Sequence, residues 1–144
     1  MIRKSISMLS ATGTSWNVTG EPIRGNAYYG LSDGIVTIQV IYQNFVGGFG
    51  IQGTLSLDPR PEDWFWITLN PTGSTTSSYI TFPQNILAPT GADGGDTGSQ
   101  AFTMIGNFVF LRACVVRDYI TPAPVNPNWD IWTYGAIDQV LLSL

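Results

Sequence analysis

Apolar and polar residues alternate with a period of two from Gly34 to Leu69, the stretch around which the chain is organised. Val36, Ile38, Val40 and Tyr42 fall on one side of an extended chain, and Ile35, Thr37, Gln39 and Ile41 on the other. That period, in a segment rich in β-branched and aromatic residues, predicts a strand. Phe45-Val46-Gly47-Gly48 predicts a tight hairpin turn, because paired glycines accept positive φ. In a second strand Phe49, Ile51, Gly53, Leu55 and Leu57 oppose Gly50, Gln52, Thr54 and Ser56. Asp58-Pro59-Arg60-Pro61 interrupts the ladder, since proline has no N–H to donate, and Trp64-Phe65-Trp66-Ile67 forms a third strand. The stretch therefore reads as three consecutive antiparallel strands.

Shorter segments flank it. Ile2–Leu9 alternates loosely and reads as a first strand. Residues 10–33 form an irregular arm with extended pieces, anchored by Trp16, Ile23 and Tyr28-Tyr29. Asn70-Pro71-Thr72-Gly73 turns the chain into a Ser/Thr tract, and Tyr79-Ile80-Thr81-Phe82 is a short strand. Residues 83–98 concentrate Pro, Gly and Asp and read as a surface loop. Order resumes over Gln100–Ile105, Gly106-Asn107 turns, and Phe108–Arg117 is a nearly continuous apolar run suited to a central strand. Pro122, Pro124 and Pro127 make residues 119–134 an extended excursion. Gly135–Leu144 is a closing strand. No window carries a capped helical pattern. The expected fold is all-β: a single antiparallel β-sandwich, jelly-roll-like, over residues 1–144.

Composition narrows the function. The chain has 144 residues, 44% hydrophobic and only 11% charged, with 16 glycines and 9 prolines. That is one domain, able to bury about two-thirds of its unfolded surface. So sparse a charge implies an exterior coated by Ser, Thr and Asn or covered by neighbouring chains. A net charge of −4 with six scattered basic residues argues against nucleic acid. No apolar stretch suits a signal peptide or a membrane helix, so folding in a cytoplasm is the expectation. The sequon Asn17-Val18-Thr19 is then a chance match. Cys114, the single cysteine, lies in an apolar run and reads as a buried thiol.

Candidate chemistry is thin. With no histidine, the commonest general base and most transition-metal sites are removed. Glu62 and Asp63 are adjacent, so in an extended chain they point apart and suit a solvated turn better than an acid–base pair. Asp93-Gly94-Gly95-Asp96 offers carboxylates without the spacing of a calcium loop. No cofactor is expected. Arg112, inside the apolar strand, must reach a carboxylate or the surface, with Asp138 or Asp130 as its partner. The aromatic residues remain: Trp64 and Trp66 two apart on one strand, and Trp129, Trp132 and Tyr134 in the excursion. Exposed indoles on a sandwich can stack on sugar rings, although strand tryptophans more often serve the core or a subunit contact.

The succession Val36-Thr37-Ile38-Gln39-Val40, Gly50-Ile51-Gln52-Gly53-Thr54-Leu55 and Asp63-Trp64-Phe65-Trp66-Ile67 resembles small β-sandwich domains of tailed-bacteriophage virion proteins. The strand Phe108–Val115 and the ending Gly135-Ala136-Ile137-Asp138-Gln139-Val140-Leu141 are similar to later strands of that group. The likeness covers residues 34–69 and 100–144. It implies a non-enzymatic virion component, such as a head-decoration, neck or tail-associated protein, head decoration being the first choice, folded in a host cytoplasm and present in many copies. Such a chain self-associates, with a trimer expected, and contacts other virion proteins. Low charge, an irregular arm and a proline-rich excursion suit subunits that clamp their neighbours. The rival reading is a tail or adhesin module that binds glycan through Trp64, Trp66, Trp129 or Trp132.

Overall fold

The computed structural model describes residues 5–10, 12, 17–30, 34–70, 79–82, 96–117 and 135–143. Its strands are β1 (Ser5–Ser10), β2 (Val18–Thr19), β3 (Ile23–Arg24), β4 (Ile35–Phe45), β5 (Gly47–Thr54), β6 (Phe65–Ile67), β7 (Ile80–Phe82), β8 (Asp96–Ile105), β9 (Phe110–Val116) and β10 (Ala136–Ser143). A 3-10 turn covers Pro61–Asp63. The two sheets are antiparallel and pack face to face. Sheet A has the order β1-β10-β4-β8; in sheet B, β9 and β5 pair centrally, with β2 and β3 flanking β9 and β6 and β7 flanking β5. Counting β2 with β3 and β6 with β7, this is the eight-strand path of a jelly roll, in which successive strands change sheet at nearly every step.

Alternation builds the core. Along β4 the residues Val36, Ile38 and Val40 are buried while Thr37 and Gln39 are exposed, the half-covered pattern of an antiparallel sheet. From sheet B, Phe49, Ile51, Leu111, Ala113 and Val115 close on the same core, with Phe102 and Met104 from β8 and Ile137, Val140 and Leu142 from β10. Phe49 and Phe102 stack across the sandwich with ring centroids 6.5 Å apart.

The expected hairpin between the first two strands of the organising stretch is corrected by the structure. β4 and β5 lie in different sheets. Both backbone edges of β4 are taken by β10 and β8, and both edges of β5 by β9 and by β6 and β7, leaving no rung for pairing with each other. The change of sheet is made at a corner. Asn44 adopts φ 48°, which asparagine tolerates better than most residues, and Asn44 and Phe45 are both buried, so the alternation slips by one. Val46 alone then links the two strands. The second and third strands do pair, Ile51 opposite Ile67.

Further boundaries move. The second strand stops at Thr54, so Leu55 and Leu57 do not share the buried face of Phe49 and Ile51. The Thr54 hydroxyl accepts from Ser56 N–H at 3.1 Å and the Ser56 hydroxyl from Asp58 N–H at 3.2 Å. These short side-chain bonds draw the backbone out of the ladder. Trp64 precedes β6 rather than standing within it. Asp96–Gly98 belong to β8, whereas the sequence placed them in the loop; the rest of 83–98 lies outside the described residues. So do the excursion 119–134 with Trp129, Asp130, Trp132 and Tyr134, the Ser/Thr tract, Trp16 and Asp93-Gly94-Gly95.

Candidate functional site

Register assigns faces. Gln52 of β5 sits opposite Trp66 of β6 and Arg112 of β9, so the three form one row on the outer face of sheet B. Gln52 Oε1 accepts from Arg112 Nε at 2.8 Å, and the guanidinium lies 4.1 Å from the Trp64 ring centroid. Arg112 thus uses an amide and an indole face, not Asp138, which is exposed in sheet A; Asp130 lies outside the described residues. A guanidinium is weakly hydrated and planar, so this stacking suits it at a half-buried site where, among the described residues, no carboxylate pairs with it. Trp66 meets Tyr79 at 5.9 Å, and the Tyr79 ring lies over Gly48, where a Cβ would collide with it. The structure therefore brings Trp64 and Trp66 to one face, as their spacing implied, with one face of Trp64 already occupied by Arg112.

The end of the sandwich at the start of β4 is different in character. Among the described residues, the large apolar side chains that remain exposed are Tyr28, Tyr29, Ile35, Leu55, Leu57, Phe65 and Ile105. Ile35 pairs with Ile105 where β4 begins and β8 ends; Leu55 and Leu57 follow the end of β5, Phe65 opens β6, and Tyr28 packs on Phe110 at the start of β9. The strand ends carry Ile35, Ile105, Leu55, Phe65 and Tyr28 to one end, Ile35 and Ile105 on the outer face of sheet A and Tyr28 on that of sheet B. Leu57 is 77% and Ile105 74% exposed.

Asn26 secures this end. It is 1% exposed, yet every hydrogen-bonding position of its amide is used. Nδ2 donates to Gly106 O at 3.1 Å and Asn107 Oδ1 at 2.9 Å, while Oδ1 accepts from Ala27 N–H at 3.1 Å and Phe108 N–H at 2.9 Å. One side chain thereby ties the turn carrying Tyr28 and Tyr29 to the β8–β9 connection. Arg24 stacks over Tyr28 at 4.7 Å. Near this end, Arg60 bridges to Glu62 and Asp63, each at 3.3 Å. The Arg60 backbone N–H, then its side chain, hold the Asp63 carboxyl below its ordinary pKa. Glu62 and Asp63 thus belong to a solvated turn, as their adjacency suggested. Nothing in the sequence singled out Asn26.

At the opposite end sits a second feature that sequence reasoning missed. Arg117 is 0% exposed. Its Nε donates to Val46 O at 2.8 Å and its Nη2 to Gly135 O at 3.0 Å, with the guanidinium 5.1 Å from the Phe45 ring centroid. It ties the β4–β5 corner to the start of β10. Cys114 is 3% exposed, as its apolar setting implied, and burial raises its thiol pKa to about 11.

An open groove of about 430 Å³ on sheet A is lined by Gln39, Ile41, Gln43, Thr97, Ser99 and Asp138. Among the described residues a single carboxylate, Asp138, faces it, where an acid–base pair would need two. Among the described residues no group of three His, Cys, Asp or Glu could hold a metal ion. No family model matches the chain, and neither a curated protein nor a solved structure was found that matches it.

Proposed function

We propose that the chain is a non-enzymatic structural subunit that associates with copies of itself and with an assembled particle, in the manner of a head-decoration protein of a tailed-bacteriophage virion. One observation carries this reading: the exposed large apolar side chains converge on one end of the sandwich. An apolar centre with charged groups such as Arg24, Arg60 and Glu62 nearby is the make-up of a protein–protein contact. Burying a leucine or isoleucine of this kind contributes about 1.5–3 kcal/mol. Burial of roughly 800 Å² per partner is the size at which such contacts become stable. The resemblance of the strand sequences to virion sandwiches supports the same reading. Viral capsid and lectin domains both use the jelly-roll path, a likeness of fold that does not by itself assign a function.

Size-exclusion chromatography with light scattering, followed by co-sedimentation with phage heads lacking their decoration protein, tests it. An oligomer, a trimer by expectation, that pellets with the heads is the predicted result. A monomer at micromolar concentration that stays in the supernatant would overturn it.

A second reading, a glycan-binding module, is favoured by the placement of Trp64, Trp66 and Tyr79 on one outer face. Its stacking surface is narrowed by Arg112 over Trp64. Binding on a glycan array that disappears in Trp66→Ala would establish it.

A further inference from the structure

We infer that the outer face of sheet A carries a ligand site of its own, the groove across β8, β4 and β10, which binds a short stretch of uncharged oligosaccharide. The site is independent of the self-association proposed above, and it lies on the opposite sheet from Trp66 of β6.

Two breaks in the ladders open the groove. In a regular antiparallel ladder the side chains of neighbouring strands stand about 4.5–5.5 Å apart and leave no hollow between them. β4 loses that regularity on both sides at the same level. Towards β10, Asp138 is an extra residue between the rung of Ile137 with Tyr42 and the rung of Gln139 with Ile41. Towards β8, the ladder is regular as far as Tyr42 opposite Gly98 and resumes only at Phe45 opposite Asp96, so Gln43 and Asn44 together oppose Thr97. Extra residues of this kind bend a strand and re-aim a side chain, and they are frequent beside active sites. Here the Asp138 carboxylate and the Thr97 hydroxyl join Gln39, Ile41 and Gln43 around a hollow of about 430 Å³. That volume falls in the range of about 300–1,000 Å³ that small ligands occupy.

The lining selects the chemistry of the occupant. Gln39, Gln43, Ser99 and Asp138 are exposed, and among the described residues no side chain or backbone group bonds to their side chains. The Thr97 hydroxyl accepts from Asn44 N–H at 2.9 Å, which leaves its own proton to donate. The groove thus offers a carboxylate that only accepts, two amides that donate and accept, and two hydroxyls. Half-buried Ile41 adds an apolar patch among them. A sugar ring presents the complement, with hydroxyls that donate and accept around its rim and C–H groups on its faces. An anion finds no partner, because β4, β8 and β10 contain neither Lys nor Arg. A cation gains little from a single solvated carboxylate. A protein contact needs an apolar centre, whereas Thr37, Ala101, Thr103 and Ser143 continue the outer face with small, mostly hydroxyl-bearing side chains.

Titration of the full, isotope-labelled chain with neutral gluco-, manno- and galacto-oligosaccharides, beside uronic-acid and amino-sugar counterparts, reads the site by NMR. A neutral member is expected to shift the side-chain amide signals of Gln39 and Gln43 and the backbone amides of Thr97 and Ser99, with little dependence on salt. Asp138→Ala and Gln43→Ala remove exposed side chains on which the fold does not depend, so the melting temperature changes little. Asp138→Ala is expected to weaken binding by about tenfold or more and Gln43→Ala by about threefold or more, while Trp66→Ala leaves it unchanged. A panel in which no neutral member moves the Gln39 and Gln43 signals at millimolar concentration overturns the site. So does binding confined to the charged members, or binding lost in Trp66→Ala and kept in both groove variants. Self-association is read separately by light scattering, so its failure and that of the groove are distinguishable.

Discussion

Arg112 and Arg117 lie five residues apart around one strand, and their fates divide what a residue's neighbours in sequence can tell. Arg112 stood out because apolar residues surround it, and it does find a special setting, on Gln52 and Trp64. Arg117 ends the same run and drew no attention, yet it is the side chain with no exposure. Its carbonyl partners, Val46 and Gly135, are 71 and 18 residues away in the chain, so only the closed fold brings them together. Arg117→Met leaves those two acceptors unsatisfied, and urea denaturation is expected to show a loss of about 2–4 kcal/mol. Arg117→Lys recovers little of it, because an ammonium cannot span both carbonyls in the guanidinium geometry.

Cys114 carries a pH dependence of definite sign. Its thiol ionises near 9.0 when unfolded and near 11 when folded, because burial disfavours the thiolate. The folded state thus keeps a proton that the unfolded chain loses. That stability is fully present below pH 9 and is lost as pH rises towards 11, by at most about 2–3 kcal/mol. Cys114→Ala is expected to flatten this decline between pH 9 and 11 in thermal melts.

Among the elements, strand identity was legible and strand pairing only in part: β5 and β6 pair as expected, whereas β4 and β5 do not. The period of two marked β4 and β5, and the apolar run marked β9, because each follows from which residues can face a core. The hairpin expectation failed at Val46, since glycines after a strand permit a tight turn but do not choose between turning back in one sheet and crossing to the other. Arg117, Asn44 and the start of β10 meet at that corner. Gly135 has φ 65°, and a Cβ there would collide with Asn44 O. Gly135→Ala is therefore expected to cost about 3 kcal/mol or more, combining left-handed backbone strain with a backbone clash. Soluble yield and melting temperature check it. Trp64 and Trp66 were correctly placed on a common face by their spacing, whereas the Arg112 guanidinium over Trp64 comes from a strand 48 residues further along.

For the whole molecule, the apolar end sets the behaviour that follows from the proposed function. Leu57→Asp and Ile105→Asp are expected to shift the self-association equilibrium by tenfold or more, about 1.4 kcal/mol each, with the melting temperature of the monomer little changed. Sedimentation equilibrium measures it. Asn26→Ala acts on the same end from within: it leaves the buried Phe108 N–H without its partner and frees Gly106 O, while Ala27 N–H keeps Phe108 O, costing about 1–3 kcal/mol of stability and loosening the Tyr28–Tyr29 turn.

By itself the sequence determined the class: an all-β chain whose alternating segments must form two facing sheets, because period-two patterning leaves one face of each strand to bury. It also placed Cys114 inside and Glu62 and Asp63 in a turn, outcomes that local residue chemistry controls. The tertiary structure alone decided that β4 and β5 part company at Val46, that Arg117 and Asn26 are buried polar anchors at opposite ends, and that Leu57 and Ile105, from different sheets, stay exposed. Those facts depend on which distant segments close against each other, and burial at such sites is set by contacts that no local window contains.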